Sequence, residues 1–595
     1  MSTNLTQRSW ANWLGDHGNP DYLHASPTNL DELRQVVQHA VDNDLQIKPL
    51  GSGHSHSAAS RPTDIGVGLN RLETDPKTSR HRILDDLGIL KANPPGVASN
   101  ETLVRVSAGV RIKELNRSLL DGMGLALPNM GSFDGQSISG AINTGTHGTG
   151  IGISTLADMV ASCEIVTVLR ECNAPVVKHI RIEPTNGITD PMKFNLHYAD
   201  KGAFHMLIQD DRIFYSAVLS YGTMGVAYAY TLKAVDAFWL SNDLRMEKWS
   251  DFSGSLMTSP FSVPNVGTVP QEVNNTRHLQ FILVSPKVQS QDDFTTSDPK
   301  VQIKSLDVVP VQSEPSNWSG TWPPERVEEP TPPPIANFSV DPATPNGAVG
   351  TAVTNRLTNE TNTWGTPAFE GNFSESASFV ALRRLRDPDP AAFGPLPAGP
   401  TLATSLEMAV PVGAGVFAIN DVLDFMAADS NFRFIVPIGV RYCAPSKHYM
   451  SQCYGQGCCL IEVPITMEFQ TASMSLATLN NLVKPKLAEL EQRICYDSNY
   501  KGLPHLGKQH AMTRARAATF IPEWFTWLEV YATFNSFGIF DNRFTTELGI
   551  SNIQSTATLD CDNFTAIVNP EFADEWIDFK KASKGPVDPN ALKGK

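Results

Sequence analysis

The segment Leu45–Leu72, LQIKPLGSGHSHSAASRPTDIGVGLNRL, contains the first residues whose types and spacing suggest chemistry. An apolar strand ends there in a Gly-Ser-Gly turn, and His54 follows at once. Glycines let a backbone come close to a bulky ligand, and a neutral imidazole beside that ligand is a nucleophile. His54 is therefore a candidate for a bond to a bound group. His56, which would share its face of a strand, is the alternative.

A second segment, Leu125–Gly152, reads LALPNMGSFDGQSISGAINTGTHGTGIG. Its glycines alternate with Ser, Thr, Asn and His, and it has too few apolar residues for a core strand. Small residues expose backbone N–H groups and hydroxyls, which suit a buried pyrophosphate. The spacing differs from the G-x-G-x-x-G turn of nicotinamide enzymes, and no G-K-[ST] follows as in a P-loop. A glycine-rich connector without a ligand is the alternative for this segment alone.

The elements that would position these segments alternate between helix and strand. The pattern NLDELRQVVQHAVDNDLQIKPL predicts a helix capped by Asn29 and followed by a strand. The stretches TLVRVSAGV and RIKELNRSLLDGMG predict a further strand and helix. This alternation is typical of an α/β domain, and it closes near Phe238 with SYGTMGVAYAYTLKAVDAF, a glycine turn followed by a strand.

Beyond Phe238 the composition changes. Residues 285–400 are rich in Pro, Ser and Thr, and we interpret them as long ordered loops or an insertion. Strands return from Thr401 in SLEMAVPV, FRFIVPIGVRYCA and CCLIEVPITMEF, which predict a largely antiparallel sheet. The stretch LATLNNLVKPKLAELEQRI predicts a helix that flanks this sheet.

The charge balance excludes several classes of partner. With 47 Lys and Arg against 62 Asp and Glu, the net charge of -15 argues against binding to nucleic acid or anionic lipid. No signal peptide or membrane-spanning stretch is recognised, so a cytoplasmic protein is expected. The cysteines at 443, 453, 458 and 459 lack paired C-x-x-C spacing, so we interpret them as buried thiols and expect no metal.

Three motifs in one order, PLGSGHS, then LALPNMGS with GAINTGTHGTG, then SYGTMGV, resemble the vanillyl-alcohol oxidase type of FAD-binding flavoprotein. The resemblance is to its aldonolactone and alditol oxidase branch, which includes L-gulonolactone oxidase. It runs from WANWLG to about Phe238 and resumes at SLEMAVPV, GVRY, PHLGK and FGIFDN. Residues 240–400 show no such match.

This resemblance implies an α+β fold in three parts. Residues 1–238 would form a two-subdomain α/β domain that binds FAD. Residues 239–500 would form a cap domain on a large antiparallel sheet with flanking helices, with the Pro-rich insertion at 285–400. Residues 501–595 would return to the FAD domain and the flavin site.

The resemblance also implies how FAD is held. In the family, the histidine of G-H-S is bonded through a ring nitrogen to the flavin's benzenoid methyl carbon, and His54 occupies that position. Such a bond raises the flavin's redox potential; a non-covalent flavin is the alternative. His147 is expected to be structural, hydrogen-bonded beside the phosphates. The implied FAD-binding residues are Leu50, Gly51, Ser52, Gly53, His54, Ser55, Gly131, Ser137, Gly140, Ala141, Asn143, Thr144, Gly145, Thr146, His147, Gly148, Gly222, Gly225 and Val226.

The catalytic residues implied by the family motifs lie in the C-terminal third. The family's His-Trp-Gly-Lys reads His505-Leu-Gly-Lys508 here, but its Glu-x-Arg reads Gly439-Val-Arg441. An arginine in a buried strand without a carboxylate would be costly. We therefore expect Glu462, on the next strand, to pair with Arg441 and face the substrate. A half-exposed surface position is the alternative for Glu462.

The expected function is an FAD-dependent oxidation of a CH–OH group, in which a nearby group takes the hydroxyl proton and hydride passes to the flavin. The substrate would be a sugar lactone, a polyol or a bulkier alcohol such as a sterol-like or natural-product compound. Oxygen or another acceptor would then take the electrons. The alternative from another class is a flavoprotein-like binding module without redox activity.

Overall fold

The structure is a computed structural model. It describes residues 5–12, 17–73, 83–84, 88–131, 135–199, 204–257, 260–263, 267–284, 298–309, 403–428, 438–466, 479–497 and 499–553. Within these ranges the strands form three sheets and one two-stranded hairpin.

The first sheet carries the segment with His54. Its strands run in the order β1-β2-β4-β3, with β3 parallel to β4. Helix α1 precedes β3. The Asn29 side chain accepts a hydrogen bond from the Glu32 amide and caps the start of the helix, as expected from the sequence. The bounds are β1 Thr6–Ala11, β2 Gly18–Ala25, α1 Leu30–Asp42, β3 Ile47–Leu50 and β4 Ile65–Gly68.

The second sheet completes the N-terminal half. Its order is β10-β9-β8-β11-β6-β5, and β7 pairs with β11. The bounds are β5 Ile83–Leu84, β6 Glu101–Ser107, β7 Leu125–Ala126, β8 Val160–Glu171, β9 Ala174–Glu183, β10 His205–Gln209 and β11 Val226–Asp236. The helices between its strands are α2 Ile112–Met123, α3 Ile138–Asn143, α4 Pro191–Tyr198 and α5 Asp211–Ala217.

The third sheet forms the cap and is antiparallel at every observed pairing among the described residues. Its order is β12-β16-β15-β18-β19-β17-β20. The bounds are β12 Trp239–Lys248, β15 His278–Val284, β16 Lys300–Val309, β17 Ala403–Pro411, β18 Ile438–Cys443, β19 Cys458–Thr466 and β20 Leu503–Pro504; the separate hairpin is β13 Pro260–Val263 and β14 Gly267–Pro270.

Helices cover the cap sheet and continue beyond it. Those of the cap are α6 Trp249–Met257, α7 Gln271–Asn275, α8 Gly415–Ala428 and α9 Lys484–Glu491, and those after β20 are α10 Arg514–Phe520, α11 Trp524–Phe534 and α12 Arg543–Leu548. Of the helices in the described ranges, none has the length and apolar character needed to cross a bilayer.

Two apolar cores hold the described chain together. One lies between the first two sheets and includes buried residues of α11 and α12, such as Trp524 and Phe544. The other lies under the cap sheet, where Leu406, Val440 and Ile461 pack together. The segment that begins with β20 thus contributes that strand to the cap and helices to the N-terminal core.

The α+β class is confirmed. The strand β16 lies inside the Pro-rich stretch 285–400, which we had interpreted as loops or an insertion; it pairs with β12 and β15 and therefore belongs to the cap sheet. The remainder of that stretch lies outside the described residues.

Candidate active site

A cavity of about 840 Å³, including the space at its open mouth, lies where three loops of the N-terminal half meet. The loops are residues 48–55 after β3, residues 136–144 around α3 and residues 220–225 before β11. The two motifs singled out from the sequence therefore lie on one concave surface.

Glycines allow the first two loops to approach each other. A Cβ on Gly51 would lie 2.5 Å from the Ser137 hydroxyl, closer than atoms can approach. Gly53 has a φ of +71°, which favours glycine. Ser52 Oγ then donates to the Gly135 carbonyl at 2.8 Å and fixes one loop against the other.

Small polar groups line the wall formed by α3. Ser137 caps the helix by accepting from the Gly140 amide. The Asn143 side chain donates to the Tyr230 hydroxyl at 2.6 Å and accepts from Ser220 Oγ at 2.9 Å. The wall is therefore polar and held from two sides.

A buried lysine, Lys48, holds the third loop by a hydrogen bond. Tyr221 and Gly222 both have positive φ, and the buried Lys48 donates from Nζ to the Tyr221 carbonyl at 2.5 Å. Burial lowers the pKa of Lys48 to about 7. Sequence reasoning missed Lys48, although a lysine inside the apolar strand IKPL was a signal.

These features fit FAD. Backbone amides and hydroxyls offer hydrogen bonds to a diphosphate, and the glycine turns leave room for a large flat ring system. Of the residues predicted to bind FAD, the cavity lining includes Leu50, Gly51, Ser52, Gly53, His54, Ser55, Ser137, Gly140, Ala141, Asn143, Thr144, Gly222 and Gly225. Others lie outside that lining: Gly131, Gly145, Thr146, His147, Gly148 and Val226.

The second half of the glycine-rich segment docks into the cap sheet instead. The Gly150 amide donates to the Tyr442 carbonyl at 2.7 Å, and the Tyr442 amide donates to Thr149 Oγ1 at 3.1 Å. Thr149 Oγ1 also donates to the Leu279 carbonyl. This part of the segment therefore joins β15 and β18 of the cap to the cavity wall.

The structure places His147, which we expect beside the phosphates, outside the lining of the cavity. Its Nδ1 lies 2.9 Å from the Gly148 carbonyl oxygen, and its Nε2 lies 2.7 Å from Oε1 of Glu407 on β17. His147 thus faces the cap sheet rather than the cavity. Glu407 is a second residue that sequence reasoning missed; the signal was a carboxylate within the apolar strand SLEMAVPV.

The predicted catalytic residues come together on one face of the cap sheet. Arg441 Nη1 lies 3.4 Å from Glu462 Oε2, and Lys508 Nζ lies 2.8 Å from Glu462 Oε1. The register places Glu462 directly opposite both Gly439 on β18 and Glu407 on β17. The side chains of Glu462 and Lys508 are 18% and 24% exposed to solvent, so both face space that a substrate can enter.

The charges in this cluster stabilise the ionised carboxylates. Burial alone would raise the pKa of Glu462, but Lys508 and Arg441 together lower it. Burial opposes ionisation of Glu407 as well, yet the charge of His147 and its hydrogen bond hold the pKa of Glu407 well below its usual range. Burial lowers the pKa of His505 to about 4, so His505 is neutral at pH 7.

The loop with His505 and Lys508 also contacts the cavity wall. The Gly507 carbonyl accepts from Ser55 Oγ and from the His56 amide, both at 2.9 Å. His505 Nδ1 accepts from the Gly507 amide at 3.0 Å, which places the proton of the neutral ring on Nε2. The predicted catalytic loop is therefore attached to the segment that carries His54.

Two groups of side chains contain potential metal ligands. One nitrogen or oxygen atom each of His147, Glu407 and His505 lies within 4.8 Å of the others. Arg441 and Lys508 already supply positive charge there, which favours an ion-pair network over a metal ion. The cysteines at 443, 453, 458 and 459 are buried free thiols, as interpreted from the sequence.

The chain matches two families in the regions that form these sites. Residues 23–169 match the family described as FAD binding domain, and residues 403–548 match D-arabinono-1,4-lactone oxidase. L-Gulono-1,4-lactone dehydrogenase of Mycobacterium tuberculosis (strain CDC 1551 / Oshkosh) is 23% identical over 87% of this chain and 93% of its own length. D-Arabinono-1,4-lactone oxidase of Yarrowia lipolytica is 33% identical over 26% of this chain and 28% of its own length.

Solved structures show the same fold. Cholesterol oxidase from B. sterolicum superposes with a TM-score of 0.60 at 13% identity, over 91% of this chain and 97% of that one. A flavoprotein of the vanillyl-alcohol oxidase type from Myceliophthora thermophila C1 superposes with a TM-score of 0.51 at 11% identity, over 88% of this chain and 78% of that one. With this fold, a cavity that suits FAD and these sequence matches, the chain is similar to FAD-binding flavoproteins of the aldonolactone oxidase kind and is an FAD-dependent oxidoreductase acting on CH–OH donors.

Proposed function

We propose that this enzyme oxidises the CH–OH group of a sugar lactone, a polyol or a bulkier alcohol at the face of the cap sheet that carries Arg441, Glu462 and Lys508. The observation that carries the proposal is the partly exposed Glu462, bound at 2.8 Å to Lys508 and at 3.4 Å to Arg441. A carboxylate between two cations is suited to receive a hydroxyl proton while the cations hold the oxygen.

Each residue then has a distinct role. Bound FAD supplies the acceptor for hydride. Glu462 accepts the proton of the substrate hydroxyl, and its ionised form is favoured because nearby cations lower its pKa. Lys508 holds the hydroxyl oxygen, and Arg441 fixes the orientation of Glu462. His505, through its Nδ1 bond to the Gly507 amide, shapes the loop that presents Lys508.

The substrate class has two sources of support. Relatives named L-gulono-1,4-lactone dehydrogenase and D-arabinono-1,4-lactone oxidase favour a lactone. Gly439 favours a larger alcohol, because a Cβ at this position would have, among the described residues, only the Glu462 Cβ within 4 Å, at 3.9 Å. The missing side chain leaves room beside the carboxylate. We therefore include bulkier alcohols among the proposed substrates.

We further propose that His54 carries the flavin covalently through a ring nitrogen. His54 lines the cavity, which supports it over His56. The Nδ1 of His56 accepts from the Ser405 amide at 2.8 Å, so that ring is turned toward the cap sheet. Oxygen or another acceptor would take the electrons from the enzyme.

The experiment is a panel of L-gulono-1,4-lactone, D-arabinono-1,4-lactone, linear polyols and a bulky secondary alcohol, added without air to the purified yellow enzyme. Bleaching of the flavin by at least one of them, followed by recovery when air or an artificial acceptor is admitted, is expected. Glu462→Gln should slow the bleaching, and Glu489→Gln, on an exposed helix, is the matched control. Bleaching as fast in Glu462→Gln as in the wild type would exclude the proposed role of Glu462.

A further inference from the structure

Two carboxylates face each other inside this site. Glu407 and Glu462 are directly opposite in the β17–β19 ladder, and their side chains share one face of the sheet. Like charges in directly opposed positions are destabilising. The same Arg441 nitrogen lies 3.4 Å from a Glu462 oxygen and 3.9 Å from a Glu407 oxygen. The two carboxylates could therefore compete for one guanidinium.

His147 removes that competition. Both of its ring nitrogens face oxygen acceptors: the Gly148 carbonyl on one side and the Glu407 carboxylate on the other. A neutral imidazole has a single N–H and can donate to one of them only. Both contacts are satisfied when one extra proton lies between His147 Nε2 and Glu407 Oε1.

We propose that His147 and Glu407 form a buried pair with no net charge that joins the two domains and keeps Arg441 and Lys508 bound to Glu462. This inference rests on the proposed function, because it makes His147 and Glu407 positioning residues for Glu462. It goes beyond that function by assigning a role to a histidine of the glycine-rich segment that lies away from the cavity.

The exposed fractions of the side chains distinguish the positioning residues from the residue that can contact the substrate. The side chains of His147 and Glu407 are 3% and 2% exposed, so neither can touch a substrate. Glu462 is 18% exposed and can. Gln452 Nε2 donates to the same Glu407 oxygen at 2.8 Å, which adds a neutral partner without adding charge. The lowered pKa of Glu407 agrees with an ionised carboxylate in the pair.

Charged and titratable groups from every element packed against the pair surround it. All of them contribute to the pH dependence of the flavin-bleaching rate. His505 and Lys508 come from the loop after β20, Arg441 and Cys443 from β18, Glu462 from β19 and Cys453 from the loop between β18 and β19.

The test measures the rate of anaerobic flavin bleaching as a function of pH. Its acid limb reports ionisation of Glu462 in the proposed function. In His147→Gln, Glu407 loses its partner and competes with Glu462 for Arg441 and Lys508, so the limb should move to higher pH by about one unit. In Glu407→Gln, His147 loses its extra proton as well, so the limb should move less.

The double variant is decisive. With both residues replaced by Gln, no uncompensated charge remains, and the limb should return close to its wild-type position. Gln452→Met, which removes a neutral donor from the same Glu407 oxygen, is the matched control and should leave the limb in place. A purely structural role would make the double variant at least as impaired as His147→Gln.

Two outcomes would overturn the inference: an unshifted limb in His147→Gln, or the same shift in His147→Gln and the double variant. Loss of the limb in Glu462→Gln would show that the proposed function still stands in either case. If a variant is too slow to measure, ¹⁵N-histidine NMR gives a readout independent of turnover. It should show both nitrogens of His147 protonated in the wild type and one in Glu407→Gln; a ring with one proton in both would also overturn it.

Discussion

Glu462 lies directly opposite Gly439 across the β18–β19 ladder, and its carboxylate lies 3.4 Å from Arg441, two residues further along β18. The family motif places a carboxylate on the same strand as the arginine. Here the arginine obtains its carboxylate from the neighbouring strand instead, and the position next to Glu462 carries no side chain. The predictions below follow from this arrangement and from the cavity beside it.

Gly439→Glu should narrow the substrate range. Among the described residues the nearest atom to a Cβ at position 439 would be the Glu462 Cβ at 3.9 Å, and the rest of the added side chain would occupy the space beside Glu462. We expect kcat/KM for a bulky alcohol to fall by roughly tenfold or more relative to a small lactone. Steady-state kinetics with both substrates measures the ratio, and Gly439→Ala serves as the smaller control. An unchanged ratio in Gly439→Glu would mean that substrate does not occupy this space.

Glu462→Gln should lower the rate of flavin bleaching by roughly 10²–10⁴-fold with little change in substrate binding, because a general base is removed. In the wild type, Lys508 and Arg441 lower the pKa of Glu462 against the opposing effect of burial. Activity should therefore persist below the usual range of a glutamate and fall as the pH drops through that lowered pKa. Stopped-flow measurements across pH give both the bleaching rate and the acid limb of its pH profile. An acid limb that survives in the variant would contradict the role of Glu462 as the general base.

His54→Ala should release the flavin from the protein on acid precipitation, whereas His56→Ala should not. His54 lines the cavity, and the His56 ring is held by the Ser405 amide. The measurement is the colour and absorbance of the washed, acid-denatured pellet. A yellow pellet from His54→Ala and a colourless one from His56→Ala would reverse the assignment, and colourless pellets from all proteins would indicate a non-covalent flavin.

Lys48→Met should change the pH dependence of stability. Burial lowers the pKa of folded Lys48 to about 7, well below the value of a free lysine, so the unfolded chain binds more protons between these two values. The wild type therefore gains stability from this group as pH rises above about 7. The variant lacks that gain, so its Tm relative to wild type should be highest below pH 7 and decline toward pH 10.

The same variant should bind FAD less tightly, because Nζ of Lys48 no longer holds the Tyr221 carbonyl at the edge of the cavity. Thermal melts at several pH values test the first effect, and titration of the flavin-free protein with FAD tests the second. A difference in Tm that is constant with pH would show that Lys48 is not the titrating group.

The sequence indicated the N-terminal half well because its signals are local. Asn29 caps α1 as expected, since a cap needs only the next three residues. The glycine-containing segments at 51–53, 140–144 and 222–225 could be assigned to one cavity because their order in the chain matched a family pattern. The pairing of Arg441 with Glu462 could be proposed because the strand that carries Glu462 follows the family pattern without gaps from Cys453.

Contacts between distant segments could not be predicted from local sequence signals. The sequence could not show that two parts of Leu125–Gly152 lie at different places, with residues 136–144 along the cavity wall and residues 147–150 against the cap sheet. Nor could it show that β16 lies within the Pro-rich stretch. Both depend on pairing between segments that are distant in the chain, which local composition does not specify.

The sequence by itself determined the cofactor class, the α+β fold and about half of the residues around the cavity, because glycine turns and strand patterns act over a few neighbouring residues. Only the tertiary structure decided which charges meet. His147 and Glu407 are separated by 260 positions yet lie 2.7 Å apart, since β17 comes beside the glycine-rich segment when the cap sheet docks. The energy of such a pair depends on distance and burial, and both are properties of the folded chain.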